Sequence, residues 1–175
     1  KAIVTGSCQG LGRSIAEGLA QAGASVCLMD LNPVCAAVAR EMSAGGLAFE
    51  GVTADLTDRK DLERGFLEAV GKLGGLDILV NNAGMQVRGD AEEIELSRWD
   101  KLVELNITAV FELSQLAARQ MIPQGGGKII NVASMLSFFG GFRCSPYAAS
   151  KGAVAQLTKA CSNEWAGKGI NVNAI

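Results

Sequence analysis

The chain has 175 residues, of which 49% are apolar and 19% are charged, and its net charge is −2. This length and composition fit one globular domain, residues 1–175, and exclude an intrinsically disordered chain, while the mild acidity and the scattered basic residues argue against nucleic-acid binding. No apolar run approaches the roughly 20 residues that a membrane-spanning helix needs, so we expect a cytoplasmic protein without a membrane segment.

The absence of histidine restricts the chemistry further. It excludes hydrolases built on a Ser-His-Asp triad and dehydrogenases with a histidine base, and it leaves Tyr, Lys, Asp, Glu and Cys for acid–base work. The five cysteines form no CxxC pair. That pattern argues against a zinc site and against a disulfide framework, so we expect no metal.

Short runs rich in β-branched residues alternate along the chain with longer segments of helical period. This order predicts an α/β fold with a mostly parallel sheet that is covered by helices on both faces. In chain order we predict strand 2–5, helix 11–22, strand 25–30, a helix that starts at Pro33, strand 47–54, helix 59–72, strand 77–81, helix 97–121 capped by Ser97, strand 128–133, helix 147–166 and strand 170–174.

A glycine-rich loop joins the first predicted strand to the first predicted helix. Glycines let a backbone turn tightly and approach a pyrophosphate, whose charge meets the free N–H groups and the positive dipole end of the helix. A tight turn without a ligand also uses glycine, but the position between strand and helix favours phosphate binding. The loop residues that we predict to bind a dinucleotide are Gly6, Ser7, Gln9, Gly10, Leu11 and Gly12.

Two acidic residues follow the next two strands at the same edge of the predicted sheet. Asp30 closes the second strand, where a carboxylate accepts hydrogen bonds from adenosine ribose hydroxyls and repels a 2′-phosphate, so NAD is preferred to NADP even though Arg13 offers a cation. Asp55 ends the third strand and either contacts the adenine amino group or caps the following helix. The predicted cofactor set is completed by Leu31, Leu56, Asn82, Ala83, Gly84, Tyr147 and Lys151.

Tyr147 and Lys151 are four residues apart at the start of a predicted helix and therefore share a face. A phenol ordinarily titrates near about pH 10, and one ammonium at about 4 Å supplies about 4 kcal/mol toward its ionisation at an effective dielectric near 20. The pair is thus sufficient for proton transfer near neutral pH. Ser134, which ends the fifth predicted strand, is placed to polarise a carbonyl group, and Asn106 lies inside a helix, where its amide needs a partner.

Taken in order, these features resemble the short-chain dehydrogenase/reductase family along the whole chain. The resemblance is carried by TGxxxGxG at Thr5–Gly12, NNAG at Asn81–Gly84, the helical Asn106, Ser134, and YxxxK at Tyr147–Lys151. It implies a Rossmann-type doubly wound sheet, NAD as the cofactor, and hydride transfer between a secondary alcohol and a ketone.

The resemblance also implies a role for each residue of the catalytic set. Tyr147 would be the acid–base, Ser134 would orient the substrate, and Asn106 would hold a water of the proton relay. Lys151 would hold the cofactor ribose and lower the phenol pKa. The family further implies a homodimer or homotetramer built on the two long helices, and a final strand and substrate-covering loop that we expect to be absent from this chain.

One stretch, Gly127–Arg143 followed by Tyr147–Lys151 and Asn163–Ala166, is similar to the sugar-acid branch of the family. A substrate such as 2-deoxy-D-gluconate or 2-dehydro-3-deoxy-D-gluconate carries a carboxylate, which Arg143 or Arg88 would bind in a bidentate manner. A solvated surface arginine is the alternative for each. Two other functions stay open, a 3-oxoacyl reductase with the same catalytic set and an NAD(H)-sensing protein without catalysis.

Overall fold

Six parallel strands form one sheet in the computed structural model, which describes residues 1–175. The strands are β1 Ala2–Thr5, β2 Val26–Asp30, β3 Phe49–Thr53, β4 Ile78–Asn81, β5 Gly127–Asn131 and β6 Ile170–Ala174. They lie in the order β3-β2-β1-β4-β5-β6. The predicted α/β fold with a doubly wound parallel sheet is confirmed.

A helix follows each of the first five strands, because parallel neighbours require a long crossover connection. The helices are α1 Gly10–Gln21, α2 Cys35–Ser43, α3 Arg59–Leu73, α4 Leu96–Val103, α5 Ala109–Met121 and α6 Ser145–Trp165. A π-helical turn, Glu104–Thr108, joins α4 to α5. Short 3₁₀ turns occur at Ala91–Glu93, Met135–Ser137 and Ala166–Lys168.

The central strands are buried on both faces and are therefore almost wholly apolar, as in β1, whose four residues are all buried and of which only Thr5 is polar. Alternate side chains of these strands enter two separate cores. Ile3 and Met29 pack in the larger core with residues of α3, α5 and α6. Val4 and Leu28 pack on the opposite face with residues of α1 and α2.

The strand order reverses between β1 and β4, since β2 and β3 extend the sheet one way and β5 and β6 the other. In an open α/β sheet, the crevice at the carboxyl ends of the strands beside such a reversal is the usual ligand site. Two segments that the sequence predicts for the cofactor, the turn after β1 and the turn after β4, lie at this crevice.

Three local predictions about helices were wrong. Ser97 does not cap a helix, because α4 begins one residue before it and Glu95 occupies the N-cap position without a side-chain bond. Pro33 lies in a turn closed by Asn32, whose Oδ1 accepts the Val34 N–H at 3.1 Å, and α2 begins only at Cys35. The predicted helix 97–121 is also not continuous, because the π-helical turn interrupts it.

None of the helices is both long and apolar enough to cross a membrane. The five cysteines are free and buried. No three side chains among the aspartates, glutamates and cysteines are grouped so that they could hold a metal ion.

Candidate active site

Hydrogen bonds join the turn after β1 to the turn after β4. The Thr5 hydroxyl oxygen accepts the backbone N–H groups of Asn82 and Ala83, each at 3.0 Å. The Asn82 side-chain amide donates in return to the carbonyl oxygens of Thr5 at 2.9 Å and Gly6 at 3.0 Å. The sequence did not predict a role for Thr5, although a hydroxyl directly before the glycine-rich loop is a usable signal.

The glycines of the loop after β1 are required by space and by backbone conformation. Gly6 and Gly10 have φ values of +61° and +57°, which favour glycine, and a Cβ atom on Gly6 would lie 2.9 Å from the Ala83 Cα. A Cβ atom on Gly12 would overlap the Gly6 carbonyl oxygen. Because α1 starts at Gly10 without a side-chain cap, the N–H groups of its first turn are available to a pyrophosphate.

Most of the predicted cofactor residues line one cleft at the carboxyl ends of the strands. The lining consists of Gly6, Gln9, Asp30, Leu31, Ala54, Asp55, Leu56, Thr57, Asn82, Ala83, Gly84 and Leu105. Gly10, Leu11 and Gly12 belong to the adjoining loop and helix but do not line the cleft. Ser7 does not reach it either, because it is fully buried and its hydroxyl donates to the Val4 carbonyl at 2.6 Å.

The Asp30 carboxylate is held in a fixed orientation at the end of β2. Its Oδ2 accepts the Cys8 N–H and its Oδ1 accepts the Asn32 N–H, both at 3.0 Å. Each oxygen keeps a lone pair for a further donor, such as a ribose hydroxyl. Arg13 pairs instead with Glu17 at 3.1 Å and Glu41 at 3.3 Å, so its charge is already compensated.

Asp55 closes a turn before α3 and does not cap the helix itself. Its Oδ1 accepts the Thr57 N–H at 2.8 Å and the Thr57 hydroxyl at 2.7 Å. The helix cap is Asp58, which accepts the N–H groups of Lys60 and Asp61. Asp55 therefore keeps its Oδ2 free at the wall of the cleft. The glycine loop, the uncapped start of α1 and the two acids together fit an adenine dinucleotide.

Helix α6 carries Tyr147 and Lys151 in its first two turns. Tyr147 is half-buried, and the Lys151 Nζ lies 5.6 Å from the centre of its ring. The Lys151 side chain is only 6% exposed, donates to the Val132 carbonyl oxygen and forms no salt bridge. This burial lowers the pKa of Lys151, because a desolvated ammonium without a counter-ion is disfavoured.

The prediction that Ser134 ends the fifth strand was wrong, because β5 ends at Asn131. Ser134 begins the 3₁₀ turn that follows, and its hydroxyl oxygen accepts the Leu136 N–H at 3.1 Å. The hydroxyl hydrogen is thereby left free to donate to another oxygen.

Asn106 lies buried in the π-helical turn, a type of bulge that is frequent at functional sites. Its Oδ1 accepts the Met85 N–H at 2.9 Å, and its Nδ2 donates to the Met85 carbonyl at 2.9 Å and to the Ser150 hydroxyl at 3.1 Å. The Ser150 hydroxyl donates to the Tyr147 carbonyl at 2.8 Å. Asn106 thus connects the segment next to Gly84 in the cleft with the start of α6.

A second buried polar chain, which the sequence did not predict, connects β4 to α6. The Asn81 Nδ2 donates to the Asn131 Oδ1 at 2.9 Å and to the Ser114 hydroxyl at 3.1 Å. The Asn131 Nδ2 donates to the Thr158 hydroxyl at 2.9 Å. The Asn81 Oδ1 is buried without a partner. The asparagines at the ends of buried strands are the sequence signal from which these hydrogen bonds could have been predicted.

The two predicted substrate arginines, Arg88 and Arg143, line one surface opening together with Gly89 and Phe142. Arg143 has a φ of +56°, rare for a residue other than glycine. Its carbonyl accepts the Gly89 N–H at 3.1 Å, and its Nε pairs with an Asp90 oxygen at 3.2 Å. Neither Ser134 nor Tyr147 lines this opening.

Comparison with known proteins gives a match to the short chain dehydrogenase family over residues 1–175. The 2-dehydro-3-deoxy-D-gluconate 5-dehydrogenase of Dickeya dadantii is 46% identical over 175 residues, which are 99% of this chain and 69% of that protein. An NAD-dependent glycerol dehydrogenase of Listeria innocua is 36% identical over 99% of this chain and 68% of its own length.

Among solved structures, the gluconate 5-dehydrogenase of Burkholderia cenocepacia in complex with NADP and tartrate superposes with a TM-score of 0.94. It is 39% identical, and the match covers 99% of this chain and 68% of that one. Sequence and structure agree over the whole chain, and the chain therefore belongs to the short-chain dehydrogenase family of nicotinamide-dependent oxidoreductases.

Proposed function

We propose that the protein interconverts a secondary alcohol and a ketone on a sugar acid, with NAD as the hydride carrier and Tyr147 as the acid–base. The observation that carries this proposal is the placement of Tyr147 beside the buried, unpaired ammonium of Lys151 on α6. The two side chains share one face of the helix, so the group that would transfer the proton and the cation that would hold the cofactor ribose lie side by side.

The proposed steps follow from the free hydrogen-bonding groups of the site. When bound, the nicotinamide accepts or supplies the hydride. As the alcohol is oxidised, the Tyr147 oxygen takes the hydroxyl proton, and the Ser134 hydroxyl donates to the same substrate oxygen. Lys151 uses one of its three donors on Val132 and keeps two for the cofactor ribose. Any relay water at Asn106 must use its backbone or the second lone pair of Oδ1, because both Nδ2 hydrogens are occupied.

We infer that the preferred cofactor is NAD. The Asp30 carboxylate is fixed in the cleft by two backbone bonds, so it stays in place against a 2′-phosphate, and Arg13 is neutralised by two glutamates. Replacing Asp30 by alanine is therefore expected to shift the ratio of kcat/KM for NAD over NADP by about 100-fold toward NADP, since like charges in contact cost several kcal/mol. Steady-state kinetics with both cofactors measures the ratio.

The matched control is Asp55→Asn, which removes a charge from the same cleft. It is expected to weaken both cofactors alike and leave their ratio unchanged. An Asp30→Ala protein whose ratio equals that of the parent would contradict the NAD assignment.

The substrate class rests on the names of the relatives and on the two arginines. The Arg143 Nε is held by Asp90, which leaves its two terminal nitrogens as a fork for a carboxylate, and Arg88 adds a second cation. We therefore propose that 2-dehydro-3-deoxy-D-gluconate or 2-deoxy-D-gluconate is the substrate. The experiment follows NADH absorbance in the complete protein with these acids, gluconate, glycerol and a 3-oxoacyl thioester.

Replacing Arg143 by alanine is expected to raise KM for the sugar acid by about tenfold or more, because a hydrogen bond to a charged group contributes about 1.5–3 kcal/mol. The kcat value should change little. Arg40→Ala, which removes an exposed arginine from α2, serves as the control. An unchanged KM in Arg143→Ala contradicts the carboxylate role, and turnover of the thioester alone favours a 3-oxoacyl reductase.

We further propose that the protein is a cytoplasmic homodimer or homotetramer. On α5, Val110, Leu113 and Met121 belong to the core. Phe111 on α5 is 45% exposed, and Leu96 and Trp99 on the preceding helix α4 are exposed as well. These three side chains support an interface along α4 and α5.

A further inference from the structure

We propose that Ser137 is a positioning residue for the reaction, whose hydroxyl fixes the Ser134 turn against α6 at Lys151. This inference rests on the proposed roles of Ser134 and Lys151. It assigns a function to a side chain that lies beside the catalytic set and that neither the glycine loop nor the YxxxK pattern includes.

The Ser137 hydroxyl joins the two elements that carry the chemistry. It donates to the Lys151 carbonyl at 2.8 Å, across 14 residues of sequence. Its oxygen also accepts the Ser134 N–H at 3.3 Å, which closes a reciprocal cap around the 3₁₀ turn with the Ser134 hydroxyl on the Leu136 N–H. One hydroxyl therefore sets the backbone of Ser134 relative to that of Lys151.

The links between the turn and the helix are few, and they converge on one residue. Between residues 132–139 and α6 the structure has two hydrogen bonds, from the Lys151 Nζ to the Val132 carbonyl and from the Ser137 hydroxyl to the Lys151 carbonyl. The first belongs to a side chain that must also serve the cofactor. The second is made by Ser137, whose remaining contact is the cap of the Ser134 turn itself, so Ser137 can hold the turn against α6 while Lys151 binds the cofactor.

Loss of this hydroxyl should affect the reaction more than the fold. Lys151 lies in the interior of a 21-residue helix, so its carbonyl keeps its place in the helical ladder without Ser137. Ser137 is only partly buried, and its exposed neighbours Phe138 and Phe139 leave the turn room to shift. A displacement of about 1 Å at a reacting group reduces the rate by about 100-fold.

The test uses Ser137→Ala in the complete protein. The substrate is whichever of the sugar acids, gluconate, glycerol and the 3-oxoacyl thioester the parent protein turns over fastest. We expect kcat to fall by about 10- to 100-fold, while KM for NAD and the Kd for NADH, measured by fluorescence titration, stay within about twofold of the parent. The control is Ser25→Ala, an exposed serine before β2 whose hydroxyl has no partner, and its kcat should match the parent. A residue that only stabilised the fold would not separate kcat from cofactor binding in this way.

A double-variant cycle adds a second criterion. If Ser137 acts through Ser134, Ser137→Ala should cost little further activity in a Ser134→Ala protein, because contacting residues are not additive. A full additional loss there, or a parental kcat in Ser137→Ala, overturns the proposal. If Ser137→Ala does not fold, Ser137→Cys replaces it, since the thiol is a weak donor. Lowered kcat with normal NADH binding then supports the role, and a parental kcat refutes it.

This experiment separates the inference from the substrate proposal. Turnover of glycerol or of the thioester in place of every sugar acid would refute the proposed substrate class. The kcat loss in Ser137→Ala would then be measured on that other substrate and would still decide the role of Ser137.

Discussion

Replacing Tyr147 by phenylalanine is expected to lower kcat by about 10³-fold, because a positioned general acid–base contributes about 10²- to 10⁴-fold. The variant keeps the ring, and with it the packing of the first turn of α6. NADH binding should therefore be retained, since Tyr147 is not among the residues that line the cleft. The measurement is steady-state kinetics on the complete protein together with a fluorescence titration by NADH.

The alternative of an NAD(H)-sensing protein makes the opposite prediction for this variant. A sensor would bind NADH and show no turnover that depends on Tyr147. Equal turnover in the parent and in Tyr147→Phe would overturn the assignment of the acid–base. Loss of turnover together with loss of NADH binding would place Tyr147 in cofactor binding alone.

Replacing Lys151 by methionine is expected to abolish most activity and at the same time to stabilise the folded protein at neutral pH. Burial lowers the pKa of this lysine below its ordinary value of 10.5, so the folded state binds the proton less well than the unfolded state. Stability of the parent therefore rises with pH from the lowered pKa up to about 10.5, and the full cost of burial is present below that window. Methionine removes this cost while keeping most of the side-chain volume.

The measurement is urea unfolding of cofactor-free protein at several pH values, because a bound cofactor would itself stabilise the folded state. The stability advantage of Lys151→Met should be largest at neutral pH and should shrink as the pH approaches 10.5. Lys159→Met, which changes an exposed lysine on the same helix, should show no such trend. A Lys151→Met protein that is less stable than the parent at every pH contradicts the view of Lys151 as a strained, unpaired cation.

The alternation of strands and helices could be predicted from sequence, because apolar periodicity indicates the type of each element and glycines mark the tight turns at strand ends. The order of strands and helices and the loop at Gly6–Gly12 belong to this class. The first residues of the helices were harder to predict. Ser97 is a residue type that often caps helices, but α4 begins one residue before it. Sequence propensities do not locate a helix start to within one residue.

The contacts that arrange the candidate site depend on distant segments, so sequence spacing alone does not reveal them. Asn106 illustrates this limit, since the need for a partner could be predicted but its partners, Met85 and Ser150, lie 21 and 44 residues away. Ser137 is a second case. Its hydrogen bond to Lys151 exists only because the turn after β5 packs against α6, and no local sequence pattern predicts that contact.

The π-helical turn at Glu104–Thr108 has a consequence for the phase of the helices on either side of it. A turn of this kind holds one residue more than an α-helical turn, and one residue corresponds to about 100° of rotation around a helix axis. Deleting one residue from this turn would restore regular winding, and it would rotate α4 by about that angle against α5. Trp99 and Leu96 would then point in a new direction, and Asn106 would leave Met85. The number of residues in this turn thus determines both which side chains α4 exposes and where Asn106 lies in the site. A change in that number alters both.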